Sequence, residues 1–308
     1  MVAVGAVLAL AGCSATGSDG ADGSTEPRVD ATPTMLKTAG VSFPLDAYEA
    51  TPEQHNTLTR AQGVLTSQCM ARFGFTYQAP EQPTPSASKS NARIFGLVDL
   101  DTAAQYGYLN PEMANTPAEA PATEALSRAE QLALSGEEDL DPADLPSNLE
   151  EAERTSGSDL RFNGKQVPMG GCVRESFLKL YARKANEVDI LFVFNLKSEA
   201  ESKAREDSRV RAADKRWSTC MAKAGYTVTD PMKAAEQMGI AGPELSSPRA
   251  VTAAKADVRC KQQVNLVGVR YTVTKAYQQQ LIEEHAETLA LVREQLKSRL
   301  LLAASLTN

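Results

Sequence analysis

The sequence predicts an all-α fold: a disulfide-stapled helical bundle of two pseudo-repeats, with long helices and a long, partly irregular insertion. Three observations carry that expectation. Aromatic residues make up only 6% of the 308-residue chain and charged residues 23%, with Trp217 the sole tryptophan. This suits helices with solvated faces better than a dense sheet. Apolar residues then recur every three or four positions in several long segments bounded by helix start and stop signals. Finally, the octet CMARFGFT at Cys69 is nearly rewritten as CMAKAGYT at Cys220.

Taken in order, residues 1–12 (MVAVGAVLALAG) are uncharged and lead into Cys13. An apolar run of about ten residues is too short to span a bilayer, for which about twenty are needed, but it suits the apolar region of a secretory signal peptide. Leu10-Ala11-Gly12-Cys13 matches the lipobox of bacterial lipoproteins, which makes Cys13 the expected site of lipidation by palmitate-type chains. The first Lys or Arg is Arg28, so the basic flank of a signal peptide would come from a start codon upstream. Residues 13–40 begin with a small, polar run and read as a flexible tether carrying a helical domain at 41–308.

The domain is expected to divide into halves at about 48–196 and 197–308. Thr51-Pro52-Glu53-Gln54 gives a helix start, Leu58, Ala61, Leu65 and Cys69 its apolar face, and Gly74 its stop. The insertion, about 79–168, is rich in proline and small residues, with one denser island, IFGLVDLDTAAQYGYLNP, expected to form a turn and short helix. Its acidic run EEDLDPADL lacks the ligand spacing and central glycine of a calcium loop. From Cys172 through Ala224 there is no Gly or Pro, which predicts one long helix or two joined by a slight break. A strand is the rival reading for VDILFVFNL. Asp230-Pro231 and Pro248 open further helices, and Cys260 leads into a long amphipathic helix to the C-terminus, broken only by Gly268. His285 lies on its apolar face and is expected to be packed there.

With Cys13 assigned to lipid, Cys69, Cys172, Cys220 and Cys260 remain, an even number in an oxidising compartment. No C-x-x-C spacing is present and the chain has two histidines, so no metal site is expected. Three pairings are possible. The duplication favours Cys69 with Cys172 and Cys220 with Cys260, each tying the end of one helix to the start of the next. In this reading the repeated glycine stops the helix and the aromatic covers the disulfide.

The stretches FGLVDLDTAAQYGY, FNGKQVPMGGC, WSTCMAKAGYTV and ADVRCKQQVNLVGVRYTVTKAYQQQLIEEH cover much of the chain beyond the tether. They resemble an uncharacterised family of lipoproteins and secreted proteins of Streptomyces and related actinobacteria. The resemblance implies envelope address, disulfides and helices, and supplies no catalytic residues. It also suggests an envelope protein partner, such as an exporter or cell-wall-binding component.

Function is therefore expected to be that of a membrane-anchored extracytoplasmic lipoprotein, a non-enzymatic binding or scaffold module without cofactor. The net charge of −7, with basic and acidic residues intermixed, argues against nucleic acid. The alternative is a cell-wall-directed enzyme or glycan-binding protein. It would use Tyr106, Tyr108, Asp99 and Asp101, with Glu175 or Glu283 for proton transfer. A deep pocket with two convergent carboxylates would favour the enzyme; an exposed apolar groove would favour the scaffold. Leu296, Leu300, Leu301 and Leu302 are candidates for a partner surface, unless they close the domain's own core.

Overall fold

A computed structural model of the chain describes residues 26–80, 91–114, 126–155 and 157–307. The expected signal peptide and Cys13 lie outside the described residues. The larger helices are α1 (Pro52–Arg72), α2 (Leu100–Tyr106), α3 (Arg128–Ser135), α4 (Leu149–Arg154), α5 (Gly171–Tyr181), α6 (Phe192–Glu206), α7 (Ser208–Lys223), α8 (Pro248–Gln263), α9 (Leu266–Glu284) and α10 (Ala286–Thr307). Single helical turns lie at Pro111–Ala114 and Ala234–Gln237, and an antiparallel hairpin pairs Arg161–Phe162 (β1) with Lys165–Gln166 (β2). The fold is all-α in character, as the sequence predicts.

The start of α1 follows its sequence signals. Thr51 Oγ1 accepts from the Gln54 N–H, and Gln54 Oε1 accepts from the Thr51 N–H, closing a capping box ahead of Pro52. Leu58, Ala61, Leu65 and Cys69 are buried along one face. Ala61 packs with Leu180 of α5 and Ala303 of α10, so α1 lies along the last helix of the chain. A second layer lays α6 and α7 on α9, with Leu196, Ala200, Val273, Tyr277 and Leu281 in its core. Each fully buried leucine contributes about 1.5 to 3 kcal/mol.

Both pairings favoured by the duplication are present. Cys69–Cys172 and Cys220–Cys260 have Cα separations of 5.5 and 5.6 Å. The helix ends around them are built alike. Gly74 and Gly225 adopt φ of 86° and 89°, a left-handed conformation that favours glycine. The Phe75 N–H donates to the Met70 carbonyl and the Tyr226 N–H to the Met221 carbonyl, a Schellman end in both copies. Met70 and Met221 are fully buried. Ser67, two residues before its cysteine, donates to the Tyr77 carbonyl at 2.8 Å, and Ser218 donates to the Val228 carbonyl at 2.5 Å. The duplicated motif thus begins at serine and also fixes the outgoing chain.

Several expectations need correction. The tether does not extend to residue 40: the Ser208 N–H and Oγ donate to the Glu26 carboxylate, Val29 packs on the α6–α9 core, and the Met35 N–H donates to Asn265 Oδ1. Residues 26–35 form a strap across the body. The boundary between halves at 196/197 falls within α6. The described parts of the insertion hold α2, the short helix expected in the denser island and packed on α8, and beyond that expectation α3, packed on α5, with α4 and the hairpin.

The segment from Cys172 is not one helix or two joined by a slight break, because residues 182–191 form a loop between α5 and α6. VDILFVFNL is neither wholly helix nor strand; its last five residues open α6. Cys260 does not open a long helix. It lies near the end of α8, and α8, α9 and α10 part at Val264–Asn265 and at His285. Gly268 is inside α9, where a Cβ would stand 2.0 Å from the Pro33 carbonyl oxygen, so this glycine lets the strap cross. His285 is packed, edge-on to Phe192 with ring centroids 5.6 Å apart.

Candidate functional site

Three exposed large apolar side chains, Ile190, Leu191 and Phe194, lie together in sequence where loop 182–191 meets α6. Tertiary bonds hold this loop. The Leu149 N–H donates to the Ala182 carbonyl at 2.8 Å, Arg299 Nη2 donates to the Tyr181 carbonyl at 3.0 Å, and the Arg183 N–H donates to Glu187 Oε2. The Leu191 N–H donates to Asp189 Oδ1 in the turn just ahead of α6. Successive residues on a helix turn by about 100°. Val193 therefore enters the core while Phe194 stays 60% exposed.

Beside Phe194 is a cleft of about 380 Å³ between the start of α1, the loop, α6 and α10. Tyr181, Ile190, Val193, Phe194, Val292 and Leu296 supply its apolar walls. Ile190 is 44% exposed, and Leu191 projects outward beside the cleft. Arg299 is half-buried in the wall with its guanidinium 5.7 Å from the Tyr181 ring centre. Burial holds its pKa below the usual arginine value, against the opposing effect of Glu187. Among the described residues no carboxylate stands within ion-pair distance of it. Glu49, paired with Lys197, and Asp189, which accepts from the Leu191 N–H, also line the cleft, so it can take an apolar segment and offer it the Arg299 cation that no carboxylate engages.

The C-terminal leucines divide. Leu296, Leu300 and Leu302 pack against the α1 core, while Leu301 is 65% exposed. Most of that predicted surface belongs to the domain's own interior.

The residues suggested for catalysis are dispersed in role. Asp99 caps α2, accepting from the Thr102 N–H and hydroxyl at 2.7 Å, and those bonds lower its pKa. Asp101 and Glu283 are exposed and Tyr106 is half-buried. Glu175 stands beside the Cys69–Cys172 disulfide with both oxygens held, one by Arg72 and one by Lys179. A neighbouring cleft of about 350 Å³ is lined by Glu175 and the exposed Glu153, and both Glu175 oxygens are already engaged by Arg72 and Lys179.

Tyr108 alone joins a buried titratable cluster, and its partners were not foreseen. Its hydroxyl is 3.4 Å from Asp257 Oδ2, Trp217 Nε1 donates to Asp257 Oδ1 at 2.9 Å, and Lys261 Nζ donates to Asp257 Oδ2 at 3.1 Å and to the Leu97 carbonyl at 2.9 Å. Burial raises the pKa of Asp257 and of Tyr108 and lowers that of Lys261. The i, i+4 spacing of Asp257 and Lys261 on a helix was the available signal. The cluster ties α2, α7 and α8 together, and its polar groups are mutually satisfied.

Among the described residues no group of three or more His, Cys, Asp or Glu side chains is arranged to hold a metal, and no helix is long and apolar enough to cross a membrane. Compared with protein-family models, curated proteins and solved structures, the chain matches none.

Proposed function

We propose that the chain is an extracytoplasmic lipoprotein, anchored through Cys13, that acts without catalysis by holding an envelope protein against its apolar cleft. The observation that carries this reading is the cleft itself, with exposed Phe194 and Ile190 and a half-buried Arg299 lacking a carboxylate. Its occupant is a protein segment of apolar side chains bearing one carboxylate. The walls remove the apolar groups from water, and Arg299 supplies the matching charge in a place where water screens it less. The Leu10-Ala11-Gly12-Cys13 sequence supports the anchor.

Photocrosslinking from position 190 in native membranes tests the proposal. One captured protein, joined through a peptide that contains Asp or Glu, is the expected result. Phe194→Glu and Arg299→Gln should each abolish capture, and Leu301→Glu should leave it intact. Capture that survives Phe194→Glu, or binding of cell-wall glycan with no protein captured, would overturn it. Cys13→Ser should release the chain from the membrane fraction.

A further inference from the structure

The two disulfide staples are alike in their helix ends and differ in the charge around them. In the first, Arg72 is three residues after Cys69 and Glu175 three residues after Cys172. The Glu175 carboxylate lies 3.7 Å from the Cys69 sulfur and pairs with both Arg72 and Lys179. The first staple therefore carries its own anion over the disulfide.

In the second staple the same positions hold Lys223, three after Cys220, and Gln263, three after Cys260. Gln263 Oε1 stands 3.4 Å from the Cys220 sulfur, the place that the Glu175 carboxylate takes in the first copy. An amide has replaced the carboxylate while the cations have increased. Arg216, Lys223 and Arg259, all exposed, line an open bowl of about 560 Å³ over the Cys220–Cys260 disulfide, and no carboxylate lines it. Arg72 and Lys179 of the first staple each have a carboxylate within 4 Å; among the described residues the three cations of the bowl have none. This concentration of positive charge stands out in a chain of net charge −7.

We infer that this bowl binds a phosphate group beside Gln263, which supplies to Arg216, Lys223 and Arg259 the negative charge that Glu175 supplies to the cations of the first staple. Two cations share one carboxylate there; the three cations here share none, and a phosphate brings more negative charge than a carboxylate would. Arginine guanidinium groups match phosphate oxygens in pairs, and lysine adds a point charge. Exposed charges are screened over about 8 Å at physiological salt, so a ligand that repeats its phosphates would be held best. The inference does not depend on what fills the apolar cleft.

Two probes separate the sources of phosphate: long-chain inorganic polyphosphate, and vesicles of phosphatidylglycerol compared with phosphatidylcholine. The full chain bearing Cys13→Ser keeps any acyl anchor out of the measurement. Binding to polyphosphate assigns a soluble phosphate polymer, and binding to phosphatidylglycerol but not phosphatidylcholine assigns a bilayer. In either case Gln263→Glu, which restores the built-in carboxylate and removes no cation, should weaken binding tenfold or more. Arg216→Ser with Lys223→Ser and Arg259→Ser should abolish it. The matched control, Lys165→Ser with Arg183→Ser and Lys184→Ser, removes the same charge from other exposed positions and should bind as the parent does. Failure to bind either probe, binding indifferent to Gln263→Glu, or equal loss in the control would overturn the inference.

Discussion

Replacing Asp257 by Asn would leave the Lys261 ammonium in a fully buried site with only neutral acceptors. Lys261 is 1% exposed and now donates to Asp257 Oδ2 and the Leu97 carbonyl, while the Trp217 indole secures the other carboxylate oxygen. Removing one partner of such a pair typically costs about 3 to 5 kcal/mol. An independent bound comes from deprotonating the lysine instead. Its ordinary pKa of 10.5 lies 3.5 units above pH 7, and at about 1.36 kcal/mol per unit the cost is at most about 4.8 kcal/mol.

The two routes agree in size and differ in pH dependence. With a folded-state pKa below 10.5, the unfolded chain binds one proton more over the interval between the two values, so stability rises with pH there. Asp257→Asn should be about 4 kcal/mol less stable at pH 7, a melting-temperature loss of roughly 8 to 16 °C. It should recover up to about 1.4 kcal/mol per pH unit towards pH 9. Adding Lys261→Met should flatten that pH dependence and restore part of the loss. Urea unfolding followed by circular dichroism at pH 7, 8 and 9 measures all three chains. A penalty under about 1 kcal/mol, or a pH-independent one in the single variant, would refute the account of Lys261 as a buried, charge-dependent strut.

Non-reducing peptide mapping should yield Cys69–Cys172 and Cys220–Cys260 peptides; a Cys69–Cys220 peptide would contradict the fold. The bridges close separations of 103 and 40 residues, for which loop entropy gives about 4.7 and about 3.9 kcal/mol, so the Cys69→Ser/Cys172→Ser pair should destabilise more than Cys220→Ser/Cys260→Ser. Leu296→Glu should lower the melting temperature by several degrees because Leu296 packs on the α1 core, whereas Leu301→Glu, at an exposed position on the same helix, should change it little. Equal melting temperatures for the two leucine variants would mean that α10 does not dock on α1 as described.

What was legible in the sequence is what local chemistry decides. The Thr51 cap, the glycines at 74 and 225 and the apolar face of α1 each depend on neighbours a few residues away, and each lies where the pattern puts it. The break after Tyr181 was not legible because no Gly or Pro marks it. Distant groups bond the last carbonyls of α5 instead: Arg299, 118 residues away, takes that of Tyr181, and the Leu149 N–H takes that of Ala182. Asn265 is similar. Its left-handed φ of 50° and its bonds to Pro33 and Met35 stop the chain between α8 and α9, and the partners are about 230 positions away. The cleft was hidden for the same reason, since its walls come from α1, the 182–191 loop, α6 and α10 and no short stretch contains it.

The duplication separates what a helix end requires from what it can vary. Serine, methionine and glycine recur because each copy needs a hydroxyl for the departing chain, a buried plug and a left-handed turn. All three do their work towards the interior or along the backbone. The positions three residues beyond each cysteine lie beside the disulfide, where the backbone does not fix their charge. There one copy has Arg72 opposite Glu175 and the other Lys223 opposite Gln263. Changing the acid to an amide leaves the second staple equally able to hold α7 to α8, because the covalent bond and the Schellman end do that. It also leaves uncompensated positive charge at the surface, so this one position can alter what the protein attracts while leaving the fold as it is.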